Sequence, residues 1–145
     1  MRKAVKDKLV ERIKAVETLQ PYFLKVKEGR FSVLGLLCDL AAEDGVGQWV
    51  PPDPKKRNDL TIPIEERLCH KFVTSTEELC YLPEEVRKWA CLYDHTLRTY
   101  KTDPRIVSLY AMNNRAAAKP MLLKMLNLFE DTNAVPDLVG CRYEP

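Results

Sequence analysis

Cys91 and His95 stand four residues apart, a spacing that sets two side chains on one face of a helix. Cys69, His70 and Cys80 lie upstream, so sulfur and imidazole are concentrated between residues 69 and 95. A structural zinc ion takes four such ligands in a tetrahedron. The close CxxC or HxxxH pairs that make zinc motifs specific are missing, and no metal is assigned. Cys69 or Cys91 could pair with His70 or His95 as nucleophile and base. Two histidines and five cysteines produce such pairs by chance, and no orienting acid or oxyanion hole can be placed beside them. The chain has no Gly-rich phosphate cradle and no GxSxG, HExxH or EF-hand pattern. No catalytic residue and no cofactor is therefore assigned, and the leading reading is non-enzymatic, with an unrecognised enzyme kept among the alternatives.

Asp39 is the other chemically pointed residue, because it interrupts the most apolar stretch, FSVLGLLCDLAAE (31–43). A buried acid must be paired or hydrogen-bonded. Arg30, Arg115, a backbone cap or a ligand could satisfy it. With Cys38, Trp89 and Asn113 it outlines a candidate small-molecule pocket. Charge gives a second set of candidates. The net charge is only +2, yet residues 1–30 hold nine Lys and Arg against four acids. Lys3, Lys6, Arg12 and Lys14 on the first helix, with Lys55, Lys56 and Arg57, could meet nucleic acid or an acidic protein. A solvated helix face is the commoner meaning of such a pattern. Trp49, Tyr93, Tyr100 and Tyr143 are candidate interface anchors.

The elements that must position these residues read as helices. Val5, Leu9, Ile13, Val16 and Leu19 recur at steps of three and four, predicting an amphipathic helix over 3–19. Pro21 restarts the chain into about two further turns over 21–28, with Gly29 at the helix end. Residues 31–43 predict a central helix, and Gly35 within it a close approach by another element. Residues 45–59 (GVGQWVPPDPKKRND) predict a Pro-rich loop without regular structure over most of its length. Residues 60–82 are mixed. Pro63 could open a helix running to about Phe72, Ser75 and Glu78 fit a capping box, and KFVTST admits a small β-hairpin. Pro83, the Asp103–Pro104 pair and Pro120 open three later helices, and 131–145 reads as a tail. The expected fold is mainly α: one domain over 1–145, a bundle of five or six helices with room for a hairpin around 60–82.

Bulk properties exclude several classes. The 145 residues suit one core, and 46% hydrophobic with 30% charged is an ordinary globular balance. No apolar run approaches the roughly 18–20 residues that span a bilayer. The N-terminal stretch MRKAVKDKLVERIK carries charge throughout and lacks the apolar core of a signal peptide. An odd cysteine count without CxxC reads as buried or idle thiols in a reducing compartment. The expectation is a cytoplasmic protein with no membrane contact.

Two segments resemble a family of small uncharacterised proteins of bacteriophages, prophages and actinobacteria. Val33–Ala41 (VLGLLCDLA) is similar to the family's CCLGVLCDLA segment, and Leu82–Leu92 (LPEEVRKWACL) to its LPxxVxxWAGL segment. A looser likeness follows at Leu109–Asn114. Ser32–Val33 replaces the leading cysteines, and Asn113–Asn114 replaces an asparagine–aspartate pair. The resemblance implies an origin on a mobile element and a helical fold, and it carries no catalytic residues. It supports an accessory protein that binds a host bacterial protein, with inhibition of a defence system as the specific version. A nucleic-acid-binding module, a small-molecule-binding protein and a minor virion component are the alternatives.

Overall fold

A computed structural model describes residues 1–21, 23–92, 113 and 118–127. Helix α1 spans Lys3–Ala15 and presents Val5, Leu9 and Ile13 to the core. The stripe predicted to Leu19 continues in space but not as a helix. The backbone turns extended at Val16 (ψ 145°), and Val16 and Leu19 pack against the core from there. The Val16 carbonyl, outside the helical ladder, accepts a hydrogen bond from the Lys119 ammonium.

The two further helical turns expected over 21–28 are not formed. Strand β1, Lys25–Lys27, pairs antiparallel with β2, Arg30–Phe31. Glu28 and Gly29 make the two-residue turn between them, and Gly29 has the positive φ (76°) that such turns require. The helix end expected at Gly29 and the hairpin that forms there need the same left-handed conformation.

Helix α2, Val33–Glu43, is buried at Val33–Cys38, Leu40 and Ala41. A helix apolar most of the way round belongs at the centre of a core. Two of its orphan N-terminal donors are satisfied by side chains. The Ser32 hydroxyl accepts from the Gly35 N–H (3.1 Å), and Asn113 Oδ1 accepts from the Leu34 N–H (3.0 Å). Gly35 lies against the backbone of Leu24, so a Cβ there would collide with the Leu24 carbonyl.

Strand β3, Gln48–Val50, crosses the region expected to be irregular. A short 3-10 turn follows at Pro54–Lys56, and helix α3 spans Ile64–Leu68, ending well before Phe72. Phe72 instead lies in β4, Lys71–Val73, which pairs with β3 on one side and with β5, Glu78–Leu79, on the other. Glu78 is thus a strand residue, and the capping box read from Ser75 does not form. The Ser75 hydroxyl donates to Glu85 instead. Helix α4, Glu84–Ala90, opens after Pro83 and buries Val86, Trp89 and Ala90. Helix α5, Lys119–Leu126, buries Leu122, Met125 and Leu126 beside α1. The helix expected from Asp103 and the tail at 131–145 lie outside the described residues.

The mainly-α, all-helical bundle is therefore corrected. The described residues form five helices with two antiparallel sheets, in the order β1-β2 and β3-β4-β5, which makes a mixed α/β domain. Strands of two or three residues carry no readable alternation. β3 and β4 are anchored instead by Trp49 and Phe72, which join the core that α2 fills and whose rings meet edge to face at 5.0 Å.

Candidate functional site

Asp39 is a junction between three elements. From α2 its Oδ2 accepts from Arg12 on α1 (2.8 Å) and its Oδ1 from the Trp49 indole on β3 (2.9 Å). The other arm of Arg12 reaches Glu43, one turn further along α2. Arg12 was a candidate for nucleic acid or an acidic partner, and its guanidinium is engaged by two carboxylates of its own chain. Trp49 was a candidate anchor. It is half-buried, with its ring between Phe31 and Phe72.

Lys25 completes this cluster. It is 5% exposed, with its ammonium 5.3 Å from the Phe31 ring centre and 5.2 Å from that of Trp49. Glu28 supplies the countercharge at 2.8 Å, and the hydrogen bond and charge of Lys25 lower the Glu28 pKa. A desolvated ammonium held over two rings gains from their quadrupoles. His70 joins β1 to β4 through its N–H, which donates to the Lys25 carbonyl (2.9 Å). Its imidazole Nδ1 is buried and has no hydrogen-bond partner among the described residues. Burial and then the Lys25 charge lower its pKa.

The other pocket candidates hold separate partners. The Trp89 indole donates to Asp44 (3.1 Å), and Arg2 lies over the same ring at 5.1 Å. Asn113 is 3% exposed and caps α2. Cys38 is fully buried, and desolvation pushes its thiol pKa well up. Cys91 is disulfide-bonded, which corrects the expectation of idle thiols throughout. His95, Tyr93, Tyr100 and Tyr143 lie outside the described residues. Among the described residues, no group of three or more His, Cys, Asp or Glu is placed to hold a metal ion. None of their helices is long and apolar enough to cross a membrane.

The loop after β3 is built differently. From Asp53 to Thr61 every side chain is exposed, yet the backbone is held. Asp53 accepts from the Lys55 N–H (2.9 Å), and Asp59 accepts from the Thr61 N–H (3.0 Å) and hydroxyl (2.6 Å). Arg67 on α3 ties the far side by donating to the carbonyls of Ile62 (3.0 Å) and Arg57 (3.4 Å). The two aspartates are thus turned onto the backbone, as such residues are in Asx turns. The bonds from Thr61 lower the Asp59 pKa. Lys55, Lys56 and Arg57 are left to set the charge of the display. Leu60, 84% exposed, stands beside them. Leu60 did not emerge from the sequence, although a leucine inside KKRNDLTIP with no periodic apolar partner is a readable signal. Lys3 pairs with Asp7 at 3.4 Å, and Lys14 is exposed on α1.

A small mixed α/β domain with a braced, outward-facing loop is the class that fold and surface define. The chain belongs to the family described as Domain of unknown function (DUF8296), which it matches over residues 1–132. No curated protein and no solved structure shows a significant match to it.

Proposed function

We propose that the chain is a non-enzymatic binding protein whose contact surface is the loop from Asp53 to Ile64. The observation that carries this is Leu60, 84% exposed on a loop whose backbone is hydrogen-bonded to itself and to Arg67. A large apolar side chain in water contributes nothing to the fold. Held on a pre-ordered backbone, it costs little conformational entropy to bury against a partner. Lys55, Lys56 and Arg57 around it favour a protein surface that is acidic at the rim and apolar at the centre.

The resemblance of Val33–Ala41 and Leu82–Leu92 to small phage and prophage proteins supports a bacterial host protein as that partner. Inhibition of a defence system in the host cytoplasm is the specific form.

The test is affinity capture from bacterial lysate with the wild-type chain and with Leu60→Asp, each with and without nuclease. One protein captured in both wild-type samples and lost with Leu60→Asp supports the reading. Capture that vanishes with nuclease moves the function to nucleic acid. Capture indifferent to Leu60→Asp removes the loop from it.

A further inference from the structure

Behind the loop lies a cleft of ≈ 140 Å³ that Asp53 and Lys56 of the loop help to line and Leu60 does not. Its floor is the outer face of the β3-β4-β5 sheet. Val50 and Lys71 are paired across β3 and β4, and Glu78 pairs with Val73, two residues along β4 from Lys71. Residues two apart on a strand share a face, so Val50, Lys71 and Glu78 point the same way, opposite to Trp49 and Phe72. The facing wall brings Lys56 from the 3-10 turn and Glu66 from α3, and Pro51–Pro52 form a rigid apolar side. Asp53 also lines the wall, but its carboxylate accepts from the Lys55 N–H (2.9 Å), so floor and wall each leave one ammonium and one carboxylate without a partner in the cleft.

Among the described residues none of these four groups forms an ion pair, although both signs line one small space. Elsewhere on this surface opposite charges do close on each other, as Lys3 does on Asp7 and Lys25 on Glu28. A cleft lined by separated charges of both signs matches a ligand that carries both. Its volume is well below the roughly 300 Å³ at which cofactor-sized sites begin, so the ligand is small.

We infer that this cleft binds a small zwitterion of the α-amino acid class. The ligand carboxylate lies between Lys56 and Lys71, its ammonium between Glu66 and Glu78, and a short side chain lies against Pro51 and Pro52. The two readings share Lys56, and they are told apart by Leu60, which lines no part of the cleft.

Titration of the isotope-labelled protein with glycine, serine, glutamate and lysine, followed by amide NMR, tests it. Acetate, methylammonium and N-acetylglycinamide are the controls. The expected result is saturable shifts at Val50, Lys71 and Glu78 with at least one amino acid, about tenfold tighter than with any control. Lys71→Gln and Glu66→Gln should each weaken that binding about tenfold with amide dispersion intact, whereas Leu60→Asp should leave it unchanged. Absence of saturable shifts with all four amino acids overturns the inference. So does a response to acetate or methylammonium equal to that of the amino acids, or binding unaffected by both cleft variants. None of these outcomes touches the Leu60 reading, which is lost only if capture survives Leu60→Asp.

Discussion

The Asp39 cluster and the loop around Leu60 use the same kinds of residue to opposite ends. At Asp39, an acid, two basic side chains and three aromatic rings are spent on one another: Arg12 and Trp49 on Asp39, Lys25 over Phe31 and Trp49, Trp49 on Phe72. In the loop the acids hold the backbone, and the basic and apolar side chains face water. Residue type does not separate a structural charge from an offered one. The partner each group has already found does.

That contrast can be broken from either side. The largest effect belongs to the core beneath the cluster. Gly35→Ala places a Cβ on the Leu24 carbonyl, and neither backbone can yield cheaply. A loss of about 3 kcal/mol in denaturant unfolding is expected, and a neutral result would refute the close approach. Asp39→Ala is expected to cost about 1–3 kcal/mol, because it leaves the Arg12 guanidinium and the Trp49 indole without their shared acceptor. Thermal melting reads this as a drop of several degrees. Leu60→Asp and the triple change of Lys55, Lys56 and Arg57 to Glu are expected to shift stability by no more than about 0.5 kcal/mol. Both should weaken partner binding by about tenfold or more, and the triple change should also remove its salt dependence.

The smallest effect is the pH dependence at His70. Its folded pKa lies below the ordinary 6.5, so the unfolded chain takes the proton first. The stability it contributes is complete above about pH 6.5 and is lost as pH falls from there through the lower folded value. His70→Gln should flatten the stability profile between about pH 5 and 7, leaving the carboxylate-driven decline at lower pH. Glu28 and Glu85, whose pKa values are lowered from 4.5, contribute to that decline.

What could be read in advance follows from range. Helix α2 announces itself through apolar periodicity, and α4 and α5 through Pro83 and Pro120 as well, all within a few residues. Strands of two and three residues offer no period, and β1 was hidden inside a segment whose proline and final glycine suit a helix equally well. The need for Asp39 to be paired was legible, but its partner was not: Arg12 lies 27 residues away, and only the packing of α1 on α2 selects it over Arg30 or Arg115. Composition alone marks the Pro-rich loop. That its aspartates brace the backbone, leaving Leu60 and three basic side chains outward, depends on hydrogen bonds that composition does not encode.

The most direct test places a photo-crosslinking residue at position 60, with the same residue at position 121 as control, since Met121 is also exposed (56%) but lies on α5. The account predicts a discrete, nuclease-resistant protein adduct from position 60 and none from position 121. No adduct at position 60, or the same adducts from both positions, would contradict it.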